Sequence, residues 1–294
     1  MKSIHTGPFA ASIAFWCVLV AGSSPVLGQS EVKFRLISDS SIILVPVLVN
    51  GQGPFPFILD TGSDDVILDS SLARRLSLSI SAGDAHQATV AGAWAPGRSV
   101  AKSLQLGPVQ TQNAPVLLTD LSGIRSRAPQ AQGVLGQSFL SLFNYLLDYQ
   151  NRSIRFEQSG ELQHSIHGEP LPLEIDGHRI LLLAQAQTAS SAPLRLLLDT
   201  GTNALVLSRA SADAIHLVVD GQKFETTVNA RIALPFGRLG QLTLGSRLLH
   251  DLPVTVSAAQ QMQQVCDGLL PTSLFKALYV NNTEGFVEIL DNYR

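Results

Sequence analysis

Phe57-Ile58-Leu59-Asp60-Thr61-Gly62-Ser63 recurs further along the chain as Leu196-Leu197-Leu198-Asp199-Thr200-Gly201-Thr202. In each copy three apolar residues lead into Asp-Thr-Gly and then a hydroxyl residue. An Asp carried inward by an apolar strand is costly unless it is paired or used. The Gly two positions later allows a sharp turn and close approach of another segment. The intervening Thr can donate its hydroxyl to nearby backbone.

The similarity extends outward from these stretches. Val66-Ile67-Leu68 matches Ala204-Leu205-Val206-Leu207, and each precedes a short predicted helix, 70–76 and 208–215. Leu104-Gln105-Leu106-Gly107 matches Leu242-Thr243-Leu244-Gly245, and Ala114-Pro115-Val116 matches Leu252-Pro253-Val254. Gly133-Val134-Leu135-Gly136 matches Gly268-Leu269-Leu270-Pro271. A helix-like stretch (138–146; 272–278) and a strand (153–156; 285–289) close each copy. Such register between two stretches predicts two copies of one unit, too few and too long for a solenoid. The polar segment Glu161 to Pro170 is the expected joint, and domains are drawn at 29–164 and 165–294.

Short β-branched or Leu-rich runs bounded by turn residues make the chain mostly β. Val45 to Val49, Asn50-Gly51, then Phe55 to Leu59 is a hairpin signal. In the second copy the equivalent turn is the longer 187–193.

Bulk composition narrows the function. The chain has 294 residues, 45% apolar and 15% charged, which suits a folded globular protein rather than a disordered one. A formal net charge of -3 and sparse arginines (Arg74-Arg75; Arg125, Arg127) exclude a basic nucleic-acid stripe. Gly136-Gln137-Ser138 lacks the final Gly of a serine-hydrolase elbow. No paired-His zinc motif occurs, and neither a metal nor a cofactor is expected.

At the N-terminus, Lys2 and His5 precede an apolar run from Phe9 to Ala21, followed by small residues up to Gly28. Residues 1–28 read as an export signal, which predicts a periplasmic or secreted protein. The run is short for a membrane span, so none is expected after cleavage; an uncleaved anchor is the alternative. Removing the signal leaves Cys266 as the sole cysteine, a small buried residue with no disulfide partner. A pro-segment between Gln29 and about Ser41 is left open.

A pseudo-two-fold axis relating the copies would bring Asp60 and Asp199 together. Two touching carboxyls share a proton, which splits their acidities and supplies one general base and one general acid. Ser63 and Thr202 are each expected to hydrogen-bond their own carboxylate. The competing readings are a structural turn Asp, a protease-like module that only binds peptide, and pairing of like copies between two chains. The short joint favours pairing within one chain, hence a monomer.

The doubled apolar-apolar-Asp-Thr-Gly-Ser/Thr, each followed by apolar-apolar-Gly or its variant and a helix, resembles the aspartic proteases of the retropepsin and pepsin type. The resemblance runs from about Ile42 to Ile289. Pepsin-like enzymes carry the unit twice, as here, while each copy is short like a retropepsin unit. It implies a bilobal pseudo-dimer of two closed β-barrel lobes with a few short helices. It also implies an aspartic endopeptidase with Asp60 and Asp199 catalytic, supported by Thr61, Gly62, Ser63, Thr200, Gly201 and Thr202. The implied substrate is a polypeptide held in a cleft under a flap hairpin, with Trp94 near the tip of the first flap and Phe236 in its counterpart. Pro271, where the first copy has Gly136, departs from the pattern.

Overall fold

The computed structural model describes residues 31–290 apart from 38–39, 82–86, 90–91, 95, 126, 158–159, 188–191 and 227–230. The expected signal, 1–28, lies outside the described residues.

The first repeat runs β1 (Glu31–Lys33), β2 (Arg35–Leu36), β3 (Ile43–Val49), β4 (Gln52–Leu59), β5 (Ile67–Asp69), α1 (Ser70–Arg75), β6 (Gln87–Thr89), β7 (Gly92–Trp94), β8 (Gly97–Leu106) and β9 (Val109–Thr119). It continues with α2 (Ser122–Arg125), β10 (Gly133–Leu135), α3 (Gln137–Leu140), β11 (Tyr145–Asp148) and β12 (Ser153–Phe156). A short helix, α4 (Glu161–Ser165), leads to the second repeat. That repeat comprises β13 (Pro170–Asp176), β14 (Arg179–Ala186), β15 (Leu194–Asp199), β16 (Leu205–Ser208), α5 (Arg209–Ala214), β17 (Val219–Thr226), β18 (Arg231–Leu244) and β19 (Arg247–Ser257). It ends with α6 (Gln260–Val265), β20 (Gly268–Pro271), a 3-10 turn (Thr272–Leu274), β21 (Ala277–Asn281) and β22 (Phe286–Leu290).

Each repeat closes a six-stranded ring. In the first the order is β3-β4-β10-β5-β9-β8, and β8 returns to β3 with Val47 opposite Leu106. In the second it is β14-β15-β20-β16-β19-β18, closed by Gln185 opposite Thr243. Closure leaves no open edge within a ring, so backbone groups are paired around it. The Asn50-Gly51 turn has φ of 54° and 71°, the left-handed pair that a two-residue hairpin needs. Asp69 and Ser208 cap α1 and α5 by accepting from the backbone N–H of Ser71 (2.9 Å) and Ser211 (3.0 Å).

A six-stranded antiparallel sheet joins the repeats, in the order β1-β12-β11-β21-β22-β13. Its centre pairs β11 with β21, Leu146 opposite Tyr279 and Leu147 opposite Leu278. One large core runs through both repeats, from Val45, Phe57 and Leu68 to Leu196, Leu207 and Val254. β1 and β2 build residues 31–36 into these sheets.

Two expectations are corrected. The helices read over 138–146 and 272–278 are single turns, and strands begin at Tyr145 and Ala277. Tyr145-Leu146-Leu147 is buried on both faces of the joining sheet, and a short continuous apolar run carries no period to tell strand from helix. The joint is also not a bare linker, since α4 lies within it and Leu162 and Ile166 are buried.

Candidate active site

Asp60 and Asp199 stand at matching ends of β4 and β15, each carried there by a buried apolar run. The loops that follow approach so closely that a Cβ on Gly62 would lie 2.6 Å from the Asp199 carboxyl carbon. Reciprocally, a Cβ on Gly201 would lie 2.8 Å from Asp60 Oδ1. Each glycine is therefore required by the other repeat's carboxyl, not by its own φ.

The two threonines lock this contact. The Thr61 hydroxyl donates to the Leu198 carbonyl (2.8 Å) and accepts from the Thr200 N–H (3.0 Å). The Thr200 hydroxyl donates to the Leu59 carbonyl (2.6 Å) and accepts from the Thr61 N–H (3.0 Å). Both side chains are fully buried, so these four bonds satisfy groups that have no water to fall back on. Within each loop the glycine N–H caps its own carboxylate: Gly62 to Asp60 Oδ1 (3.0 Å) and Gly201 to Asp199 Oδ1 (2.6 Å).

The electrostatics are unequal. Burial pushes the Asp60 carboxyl up, opposed by a hydrogen bond from Asp199 and by the N–H groups of Gly62 and Ser63. Burial pushes Asp199 well above the ordinary carboxylate range, and the charge of Asp60 pushes it the same way. Both carboxyls are thus pushed up, Asp199 the further of the two.

A model of the family described as "Aspartyl protease" matches residues 45–139 and again 184–274, together more than half of the chain. The chain belongs to the aspartyl protease family. No curated protein sequence matches it. Among solved structures it is similar to a retropepsin-like aspartic protease from Rickettsia conorii, at 16% identity and a TM-score of 0.32, over 43% of this chain and 89% of that one.

In this aspartyl protease Ser63 and Thr202 do not bond the carboxylates, contrary to expectation. Their hydroxyls donate to the carbonyls of Asp65 and Ala204, both at 3.1 Å. A short side chain three residues past the Asp bonds its own turn more readily than it reaches back. The Ser63 contribution to Asp60 comes from its backbone N–H.

The two flap candidates both lie in paired strands. Trp94 lies in β7 opposite Gln87, two positions along the strand from the Thr89–Gly92 pair. Pro96-Gly97 leads into β8. Phe236 lies inside β18 opposite Gly221 in β17, with Lys223 Nζ 6.0 Å from its ring centre. The β6–β7 hairpin lies against α6 of the second repeat.

Some residues at the site had no local signal. Arg179, just past the tight Gly177-His178 turn, crosses to the other repeat and pairs with Asp64. Burial raises the Asp64 carboxyl, with Arg179 pulling the other way. At the matched place Asn203 accepts from the Ser41 N–H (3.0 Å) and the Ser41 hydroxyl, so one side of the pseudo-axis carries an ion pair and the other a neutral bond. Cys266 is buried and its thiol is pushed up to about 11, chiefly by burial, which leaves it unreactive at neutral pH. Among the described residues no cluster of three His, Cys, Asp or Glu side chains is arranged to hold a metal, and no helix is long and apolar enough to cross a membrane.

Proposed function

We propose that this aspartyl protease is an endopeptidase in which Asp60 and Asp199 act as one dyad on a water molecule. The observation that carries this reading is the reciprocal packing of each Asp-Thr-Gly glycine onto the opposite carboxyl. Asp60 is the base: it takes a proton from the water as the water oxygen bonds to the scissile carbonyl carbon. Asp199 is the acid: it gives its proton to the carbonyl oxygen, forming a neutral gem-diol. Asp60 then gives its proton to the departing nitrogen as the C–N bond breaks, and Asp199 takes a proton from a gem-diol hydroxyl as the carbonyl re-forms. The dyad ends with one proton, as it began. Neither covalent intermediate nor metal enters this sequence.

The substrate in this reading is an extended polypeptide lying between the repeats, and the active form is a monomer, because both halves of the dyad come from one chain. The apolar run 9–21 supports export of the protein with removal of residues 1–28. N-terminal sequencing of the secreted product checks that cleavage.

The deciding experiment follows cleavage of an unfolded protein and a mixed peptide library from pH 3 to 8 by wild type, Asp60→Asn and Asp199→Asn. The expected outcome is a bell-shaped profile for wild type and no cleavage by either variant, with all three folded. Cleavage that survives both substitutions would overturn the dyad. A folded wild type that cuts nothing at any pH would make a peptide-binding module the better reading.

A further inference from the structure

The two dyad loops are buttressed differently, and the difference starts at Gly136 and Pro271. In the first repeat Gly136 sits beneath the loop, where a Cβ would lie 2.3 Å from the Asp65 carbonyl oxygen and 2.7 Å from that of Ser63. This closeness lets the next two residues tie directly into the loop. Gln137 N–H donates to the Ser63 carbonyl and Ser138 N–H to the Asp64 carbonyl, both at 2.8 Å, and Ser138 Oγ accepts from Val66 N–H at 3.2 Å. Three bonds thus hold the Asp60 loop from below.

In the second repeat Pro271 occupies the equivalent place, abreast of Asp199 in the parallel β15–β20 ladder. A pyrrolidine ring has the bulk that Gly136 avoids and no N–H. Among the described residues no bond matching those of Gln137 and Ser138 ties Thr272 or Ser273 to the Thr202–Asn203 loop. The Asp199 side of the site has lost its local buttress.

Ser41 of the first repeat bonds Asn203 in that loop, and a second support from the first repeat reaches the residue beside Pro271. Tyr149 follows β11 at the end of the joining sheet, its N–H donating to the Lys276 carbonyl (2.9 Å) and its ring edge-on to Phe34. Its hydroxyl reaches the Thr272 hydroxyl at 2.7 Å, and Thr272 is itself buried. Burial pushes the Tyr149 phenol up, opposed by its hydrogen bond with Thr272, the residue that follows Pro271.

We propose that Tyr149, supplied by the first repeat, is a positioning residue for Asp199, holding through Thr272 the Pro271 corner that lies beside that carboxyl. This rests on the reading of Asp60 and Asp199 as the dyad. The hydroxyl touches neither substrate nor reacting atoms. It fixes where the proton-donating carboxyl stands, and it couples that position to the sheet that joins the repeats.

The test uses the full chain with Tyr149→Phe, Thr272→Val and Thr272→Ser, checked for folding by near-ultraviolet circular dichroism. Carboxyl carbon NMR titration of Asp60 and Asp199 is run beside the pH profiles of kcat and KM. Loss of one buried hydrogen bond of ordinary strength predicts a fall in kcat of about 3- to 10-fold with KM little changed. Tyr149→Phe and Thr272→Val should shift the Asp199 titration more than that of Asp60 and move the alkaline limb of kcat. Thr272→Ser should behave as wild type, and the double variant Tyr149→Phe/Thr272→Val should be no worse than either single one. A lower melting temperature with an unmoved Asp199 titration would overturn the proposal, as would equal shifts of both carboxyls. The NMR arm decides even if wild type cleaves nothing, a result that counts against the protease reading and not this one. If Tyr149→Phe does not fold, the Thr272→Val and Thr272→Ser pair decides alone.

Discussion

Adding one methyl group at Gly62 should damage the neighbouring repeat more than its own. The new carbon would stand 2.6, 2.7 and 2.8 Å from Cγ, Oδ1 and Oδ2 of Asp199. Non-bonded carbon atoms rest at about 3.5–4.0 Å, so the Asp199 carboxyl must retreat by roughly 1 Å. It cannot do so freely, because Gly201 N–H holds Oδ1 at 2.6 Å. Overpacking of this kind costs about 1–3 kcal/mol of stability, which leaves an ordinary domain folded. A misplacement of about 1 Å in a catalytic group costs about 100-fold in rate. Gly62→Ala should therefore lose about two orders of magnitude in kcat/KM on a peptide selected from the library, while melting only a few degrees lower. Gly201→Ala makes the milder clash, 2.8–3.0 Å with the Asp60 carboxyl, and should lose less. If Gly62→Ala keeps kcat/KM within about threefold of wild type, or if the order of the two variants is reversed, the reciprocal-packing account is wrong.

Thr200→Val removes the donor to the Leu59 carbonyl and the acceptor for Thr61 N–H, both buried, at about 1–3 kcal/mol for each orphaned group. Urea unfolding should show a loss of about 2–6 kcal/mol, and a loss under about 0.5 would refute the lock. Asp199→Asn should stabilise the fold at neutral pH. With the native carboxyl raised, the unfolded chain releases its proton first as pH climbs above 3.8, so wild-type stability falls from there towards the native value. The variant escapes that fall, and melting curves should coincide in acid and separate on the alkaline side; a constant gap from pH 3 to 8 would sink the argument. Arg179→Met leaves the half-buried Asp64 without its cation, which raises that carboxyl further. The deficit against wild type should be small in acid and grow towards neutral pH, read by the same melting curves; a deficit independent of pH would count against the ion pair.

Much of the fold was legible because it is written twice. The hairpin at Asn50-Gly51, the strands ending in Asp60 and Asp199, the capped helices after Asp69 and Ser208 and the strand at Ser153 all rest on local patterns that the structure keeps. The helix expected over 138–146 gives way to a strand from Tyr145, because the partner that decides it is the distant β21. Ser63 and Thr202 were assigned to the carboxylates on proximity in sequence, whereas geometry turns each hydroxyl towards its own loop.

That two Asp-Thr-Gly units exist, each ending a buried strand and both on one chain, is readable from the residues alone. Strand period, glycine placement and repeat register are local quantities, and local chemistry expresses them without a partner. Only the tertiary structure decided how the halves meet: Thr61 and Thr200 exchanging hydrogen bonds, Gly62 and Gly201 each lying against the other's carboxyl, Arg179 answering Asp64 while Ser41 answers Asn203, and Tyr149 reaching Thr272. Those contacts join residues more than a hundred positions apart, and they depend on the closed rings and the shared sheet that bring the two strand ends to one axis. The same burial that makes an unpaired carboxyl expensive is what splits the acidities of Asp60 and Asp199 once they are brought together.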